Sequence, residues 1–295
     1  MEKDLKRLQI LELEMAKVLL SFCNNHELKI WADSGTLLGA VRHQGFIPWD
    51  DDMDFVMFRD DYDKLKEIIK IEKLPEPYYF DISQTLIRIK HRGTTMFASD
   101  HKFPSKKGGG NGGDVWIDIL CLDKLPKIDD AFKKQWAAMY EYDRMGKNRT
   151  QMSFASSRGL VSKFWHLYCL LCNVKKRRRK IDEFCKQYQN VECDTVSKLA
   201  LYLRMKKFKE AESMHLYDRH WWDETIWLPF DGSEMPCPSN YDEVLRSTYG
   251  DTYMTPIQQR SVHGEVIVDL DRSYEEVVKE LLSKIPWWKR FLYKY

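Results

Sequence analysis

The sequence predicts a mixed α and β fold, an α/β or α+β core joined to a large helical region, and three observations predict it. Over the first 125 residues, short apolar runs of strand composition alternate with segments whose apolar residues recur at helical spacing. Residues 126 to about 225 carry mainly helical periodicity, and no internal repeat is found. At 295 residues the chain can bury a sizeable core without staples. Its 47 Lys and Arg nearly balance its 45 Asp and Glu, so the net charge points to no nucleic-acid partner.

Leu5, Leu8, Leu11 or Glu12, Met15, Val18, Leu19 and Phe22 form the apolar face of a first helix that ends near Asn24 and Asn25. LKIWADS then reads as a short buried strand, Gly35-Thr36 as a turn, LLGAVR as a helix, HQGFIP as a loop and DDMDFVMF as a second strand. DDYDKLKEIIKI returns to helix, with acids at the end that complements the helix dipole. FDISQTLIRIKHRGTTMFAS predicts two strands joined at Arg92-Gly93. GGGNGG, from Gly108 to Gly113, predicts a loop that is not a P-loop, since no Lys-Ser/Thr follows it. DVWIDILCLD predicts a strand. Further on come the helical patterns of the middle region, turn chemistry around Pro236 and Pro238, and a short helix from Asn240.

The N-terminus has charge at helical spacing and no continuous apolar segment, so a secretory leader is not expected, nor is any run long enough to span a bilayer. Seven scattered Cys suit a reducing compartment, and a cytoplasmic protein is expected. Cys169 and Cys172 form a CxxC followed by Cys185 and Cys193. The pair lies in a helix-like run without the turns of a zinc knuckle, so buried free thiols are favoured over zinc.

The chemistry concentrates between Leu28 and Phe58. On an extended strand Asp52 and Asp54 project to one face, roughly 6 to 7 Å apart, with Asp50 a possible helper and Asp51 directed away. Two ionised carboxylates so placed call for a divalent cation, and Mg2+ or Mn2+ with a substrate's phosphates would satisfy them. Ser34-Gly35-Thr36 opens a helix whose free N–H groups favour an anion. Asp118, isolated in an apolar strand, is the candidate third carboxylate. A plain strand-to-helix turn, a solvated acidic loop and a calcium site are the alternatives for the separate parts. Together the three parts appear in the order that two-metal phosphoryl transfer requires.

DSGTLLGAVRHQGFIPWDDDMDFVMF resembles the signature of the LicD family, which includes bacterial phosphocholine transferases and is related to fukutin and fukutin-related protein. The likeness continues through VWIDILCLD and MPCPSNYDEVLRSTYGDTYM. The resemblance implies an α+β, nucleotidyltransferase-like mixed sheet core and one catalytic domain over residues 1–295. Within it, residues 1–125 would be the core and 226–295 a part closing the site, while residues 126–225, read from their periodicity as a helical insertion or second layer, depart from the family pattern. The resemblance also implies transfer of phosphocholine, or another phospho-alcohol, from CDP-choline or another CDP-alcohol to a glycan hydroxyl, with release of CMP. Lipopolysaccharide, teichoic acid and capsule precursors, lipid-linked ones included, are the acceptor classes. By motif match Asp52 and Asp54 take the metal pair, Asp118 the third carboxylate that helps activate the acceptor, and Gly35 and Thr36 the phosphate-gripping turn.

Arg42 and His43 are candidate phosphate contacts, with a solvent-facing pair as the alternative. Trp49 would stack on cytosine or pack in the core. Arg88, with Lys90, His91 and Arg92, forms a basic patch for the donor's pyrophosphate or a solvated face. Tyr241, Tyr249, Gly250, Asp251 and Met254 are expected to wall the site, and His263 to be ordinary surface. The run Lys175 to Lys180 and the tail Trp287, Trp288, Lys289, Arg290, Phe291 and Tyr293 suit the inner face of an anionic membrane, with a helix end and a tail packed on the domain as the alternative. Two rivals stand beside this reading: an enzyme leaving a nucleotide on a sugar or small molecule, and a calcium- and membrane-binding module without activity.

Overall fold

A computed structural model describes residues 2–82, 86–98, 112–151, 159–171, 173–205, 215–257 and 266–287. The first helix, α1 (Glu2–Asn25), is followed by β1 (Trp31–Ala32), α2 (Ser34–His43), β2 (Asp54–Phe58), α3 (Arg59–Ile68), β3 (Tyr78–Asp81), β4 (Ile87–His91), β5 (Thr95–Ala98), β6 (Gly112–Gly113) and β7 (Trp116–Lys124). Next come α4 (Asp130–Gln151), α5 (Gly159–Leu170), α6 (Val174–Cys185), β8 (Thr195–Ser197), α7 (Leu199–Met205), β9 (Tyr217–Asp218), β10 (Thr225–Phe230), β11 (Ser233–Pro238), α8 (Tyr241–Tyr249), β12 (Val266–Asp269) and α9 (Tyr274–Ser283). The expected α+β class with a mixed sheet and a run of helices after it is what forms.

The central sheet runs β1-β2-β7-β4-β3, and β8 and β9 extend it from β7. Among the described strands β2 and β7 form the parallel pair and the other pairings are antiparallel. Residues Ile119 to Asp123 of β7 are all buried, as expected of a strand covered on both faces. Helices α1, α3 and α7 pack on β7, and the core includes Trp31, Phe55, Phe132, Trp136, Trp222 and Phe230.

Four local expectations change. The two strands joined at Arg92-Gly93 do not form a hairpin: β5 leaves the central sheet and pairs with β12 and β6. Gly112 and Gly113 lie in that small sheet, and the rest of GGGNGG falls outside the described residues. The segment around Pro236 and Pro238 is strand β11, paired only with β10 in a two-stranded sheet where a missing N–H is tolerated. Asp231-Gly232, both at positive φ, close that hairpin in the conformation such turns require. The long helical pattern from Gly159 onward is two helices, with Asn173 starting α6 by accepting from the Lys176 amide.

The helical region is anchored by charge as well as by β8. Arg59, buried at the start of α3, donates to Asp123 of β7 at 2.6 and 2.7 Å and reaches Asp182 of α6 at 3.2 Å. Burial raises the Asp123 carboxyl to about 6 against the pull of Arg59. Among the described residues no helix is long and apolar enough to cross a membrane. Replacing Arg59 with Met strands Asp123 as an uncompensated buried charge, so a loss of about 3–5 kcal/mol is expected. Urea denaturation of Arg59→Met at neutral pH measures it, and a midpoint equal to that of the unaltered protein would contradict the assigned role.

Candidate active site

β1 and β2 pair with Ala32 opposite Phe55, and the Asp33 amide donates to the Asp54 carbonyl at 3.0 Å. The chain then turns through Ser34 at φ 49°, and α2 is closed at its other end by Gln44 at φ 54°, so a left-handed residue stands at each end of the helix. The Asp54 amide donates to the Thr36 hydroxyl at 2.9 Å, tying the start of α2 to the start of β2. A Cβ on Gly35 would stand 2.4 Å from a carboxylate oxygen of Asp50, so glycine is what lets the helix start approach the acidic loop.

In the parallel register Asp54 lies directly beside Asp118. The carboxylates of Asp50, Asp51 and Asp52 converge, with one oxygen of each within 4.8 Å of the others. The strand expectation for this segment needs correction, because β2 begins only at Asp54 and residues 50–53 are irregular. Period-two alternation therefore does not govern the acids, and Asp51 joins the cluster instead of pointing away. Gln9 of α1 holds the loop from below, donating to the Asp50 carbonyl at 3.0 Å.

This much negative charge, brought together in a half-buried setting, holds protons. Burial first, then Asp52 and Asp51, raises the Asp50 carboxyl to about 7, and Asp50 and Asp52 share a hydrogen bond. Burial, followed by Asp52, Asp118 and Asp33, raises Asp54 well above the carboxylate range. Glu12 of α1 is 0% exposed and neither of its carboxyl oxygens has a hydrogen-bond partner. Burial and the charges of Asp52, Asp51, Asp50 and Asp54 push it up too. Hard oxygen donors crowded at this density are the donor set that Mg2+ or Mn2+ takes, so the residues fit a divalent cation.

Two cations frame the acids. Arg88, paired opposite Asp118 across β4 and β7, clamps it with bonds of 2.6 and 3.2 Å and lies over the Trp116 ring at 4.4 Å. The expected basic patch is thus not one surface. Arg88 and Lys90 alternate inward on β4 and are buried, Lys90 meeting Asp81 at 3.0 Å, while Arg92 meets Glu76 outside. Lys198, at the β8–α7 junction, binds both oxygens of Asp33 at 2.9 and 2.6 Å in a fully buried pair. Asp33 accordingly makes no side-chain cap to α2.

Of the remaining candidates, Arg42 donates to the Tyr253 carbonyl at 2.6 Å and contacts His43 Nδ1 at 3.4 Å. Arg42 thereby fastens the end of α2 to the segment after α8. Burial, then Arg42, lowers the His43 imidazole. Trp49 packs half-buried against the core. Tyr249 stands near enough for Lys198, Asp33, Asp54 and Asp50 to act on its phenol, which burial raises most. Gly250, at φ 83°, ends α8, and Asp251 binds Arg246. Cys169 and Cys185 are buried free thiols; Cys172 and His263 lie outside the described residues. Among the described residues, Asp50, Asp51 and Asp52 are the group of three or more potential ligands that converges.

Lys198 and Glu12 are the partners that sequence reading missed. Lys198 is a lone cation inside an apolar run. Glu12 had a signal, an acid on the periodic face of α1. A cavity of about 1350 Å³ between α3 and α6, lined by Lys66, Arg178 and Asp182 among others, contains none of these acids.

Residues 27–117 match the family described as LicD/FKTN/FKRP, nucleotidyltransferase domain. The chain is 21% identical over 260 residues to a Haemophilus influenzae protein named lipopolysaccharide cholinephosphotransferase LicD, covering 86% of this chain and 93% of that one. Shorter stretches match uncharacterized proteins of Rickettsia typhi, 39% identical over 74 residues, and Rickettsia prowazekii, 52% over 44. These cover 23% and 15% of this chain and 24% and 16% of the two relatives.

The raised carboxyls set the sign of the pH dependence. A group that binds its proton more tightly when folded contributes most below its unfolded pKa, and that contribution is lost as pH rises through the folded value. Without divalent cations the melting temperature should therefore fall from pH 5 to 8, Asp50 contributing up to about 7, and Mg2+ at pH 8 should raise it. In calorimetry Glu12→Gln should melt above the unaltered protein at pH 8, by a margin that narrows toward pH 5. Equal melting temperatures at both pH values would show that Glu12 carries no such burden.

Proposed function

We propose, from the premise that this chain is a LicD-family member carrying that family's nucleotidyltransferase domain at residues 27–117, that it transfers phosphocholine or a related phospho-alcohol from a CDP-activated donor to a hydroxyl of a cell-surface glycan. Lipopolysaccharide is the first acceptor to test, since the relative aligned over most of the chain is named for it. The observation that carries the reading is the registered pair Asp54 and Asp118, set beside the start of α2 and the acidic loop.

In this reading Asp52, Asp54 and Asp118 would hold a divalent cation, with Asp50 beside them. The cation offsets the charge of the donor's diphosphate. The N-terminal turn of α2, at Gly35 and Thr36, faces the phosphates with backbone N–H groups. Thr36 also fixes Asp54 through the Asp54 amide, so one residue serves both strand and turn. The acceptor oxygen attacks the phosphorus that bears the alcohol, the bond from that phosphorus to the oxygen shared with CMP breaks, and CMP leaves. Asp118 orients the acceptor hydroxyl and receives its proton. Arg88, bonded to both Asp118 oxygens, keeps the carboxylate aimed. Because the donor is a nucleotide, the reaction is assigned to the cytoplasm.

Incubation with a panel of CDP-alcohols, CTP and Mg2+ tests the reading. CMP should appear with CDP-choline or another CDP-alcohol and increase when a glycan acceptor is added. Pyrophosphate from CTP, with no CMP from any CDP-alcohol, would instead establish nucleotidyl transfer. Asp52→Asn, Asp54→Asn and Asp118→Asn should each lower CMP release by at least about 100-fold while the circular dichroism spectrum is kept. Full turnover in any one removes that residue from the mechanism.

A further inference from the structure

The outer face of α5 exposes Leu160, Phe164, Leu167 and Tyr168, with Leu171 just past its end, each between 47 and 78% accessible. At about 100° per residue these positions fall within an arc of roughly 100°. The opposite side is the one that packs. Cys169 is buried, and Trp165 lies under the Arg144 guanidinium of α4 at 5.0 Å. Among the described residues, nothing covers these apolar side chains.

Directly after this stripe, α6 presents Lys175, Lys176, Arg179 and Lys180 to solvent. The helix is fixed to α4 by buried Arg177, which binds the Asp143 carboxylate at 2.7 Å and its carbonyl at 3.2 Å. The opposing charges nearby are few and engaged. Glu183 meets Arg179 at 3.4 Å in an exposed pair, Glu141 meets Arg144 at 2.7 Å, and Asp182 is held by Lys66 and Lys186 at 2.7 and 2.8 Å. An apolar stripe packed on α4 and followed in sequence by a row of exposed cations matches the chemistry of an acyl layer beneath anionic headgroups.

We infer that the α5 stripe and the cationic face of α6 together dock this protein on an anionic membrane surface. Phe164, Leu167 and Leu171 enter the acyl boundary, while Lys175, Lys176, Arg179 and Lys180 lie among the headgroups. Neither half suffices: the stripe supplies no preference among lipids, and the cations alone give an attachment that salt removes. The inference is independent of the chemistry assigned to the acids, because it concerns binding without turnover.

Flotation of the full chain with vesicles decides it. The unaltered protein should bind phosphatidylcholine–phosphatidylglycerol vesicles, bind pure phosphatidylcholine vesicles at least about tenfold more weakly, and lose affinity as salt rises. Phe164→Ser/Leu167→Ser/Leu171→Ser and, separately, Lys175→Gln/Lys176→Gln/Arg179→Gln/Lys180→Gln should each weaken binding to the mixed vesicles by at least about tenfold. Both sets change exposed side chains, so melting temperature and CMP release in solution should stay as they were. Absence of binding, equal binding to neutral vesicles, or unaltered binding by either variant overturns the proposal. It is also overturned if the protein floats with neither vesicle and sedimentation shows a dimer that the serine variant converts to monomer, since α5 would then be an interface between two copies.

Discussion

Parallel pairing of β2 with β7 is the constraint from which the site follows. It places Asp54 beside Asp118 at the end of two strands that are otherwise largely buried, where half-burial limits how far water can screen their repulsion. Every other acid in the neighbourhood adds to that cost. Asp50, Asp54 and Glu12 accordingly hold their protons above the ordinary range. Such a concentration of charge persists only if something offsets it, and the flanking residues do so selectively. Lys198 takes Asp33 and Arg88 takes Asp118, while Asp50, Asp51 and Asp52 converge on one another beside them. Stability is given up at the acids in exchange for a strong local field.

The surrounding architecture reads as the means of keeping that arrangement from relaxing. Thr36 pins the Asp54 amide, Gln9 pins the loop carrying Asp50, and Gly35 brings the start of α2 against it. Asp231, from the hairpin of β10 and β11, accepts from the Phe46 amide at 3.1 Å and its own amide donates to Gln44. The loop between α2 and the acids is thus tied at both ends. Hydrogen bonds from backbone to side chain do most of this, which suits a site that must hold its shape while its charge state changes.

Much of the fold was legible because it rests on periodicity. The first helix, the strand carrying Asp118 and the helix after β2 all announce their faces in the spacing of apolar residues. The acids were legible by type and order. What spacing misjudged was the conformation of residues 50–53: the strand rule was extended beyond the strand, and Asp51 was sent the wrong way. Pairings between distant segments leave no local trace, so Lys198 with Asp33, 165 positions apart in sequence, and Arg42 with Tyr253 could not be read. Arg88 illustrates the same limit, since its neighbours in sequence suggested a surface patch while its neighbour across the sheet is a carboxylate. The prolines of β11 misled for the opposite reason, an edge strand tolerating what a central one forbids.

The Lys198–Asp33 bond bears on how such a chain can be divided. The stretch that matches the nucleotidyltransferase family ends at residue 117, one short of Asp118 and far short of Lys198 and Tyr253. A fragment cut at that boundary would keep the acidic loop but lose Asp118, the strand partner of Asp54. It would also leave Asp33 buried without its counter-ion and Arg42 without its anchor. The recognisable segment is therefore not a portable module. It is one face of a site whose other faces come from later sequence, so recombination between relatives would have to exchange both halves together or rebuild the contacts between them.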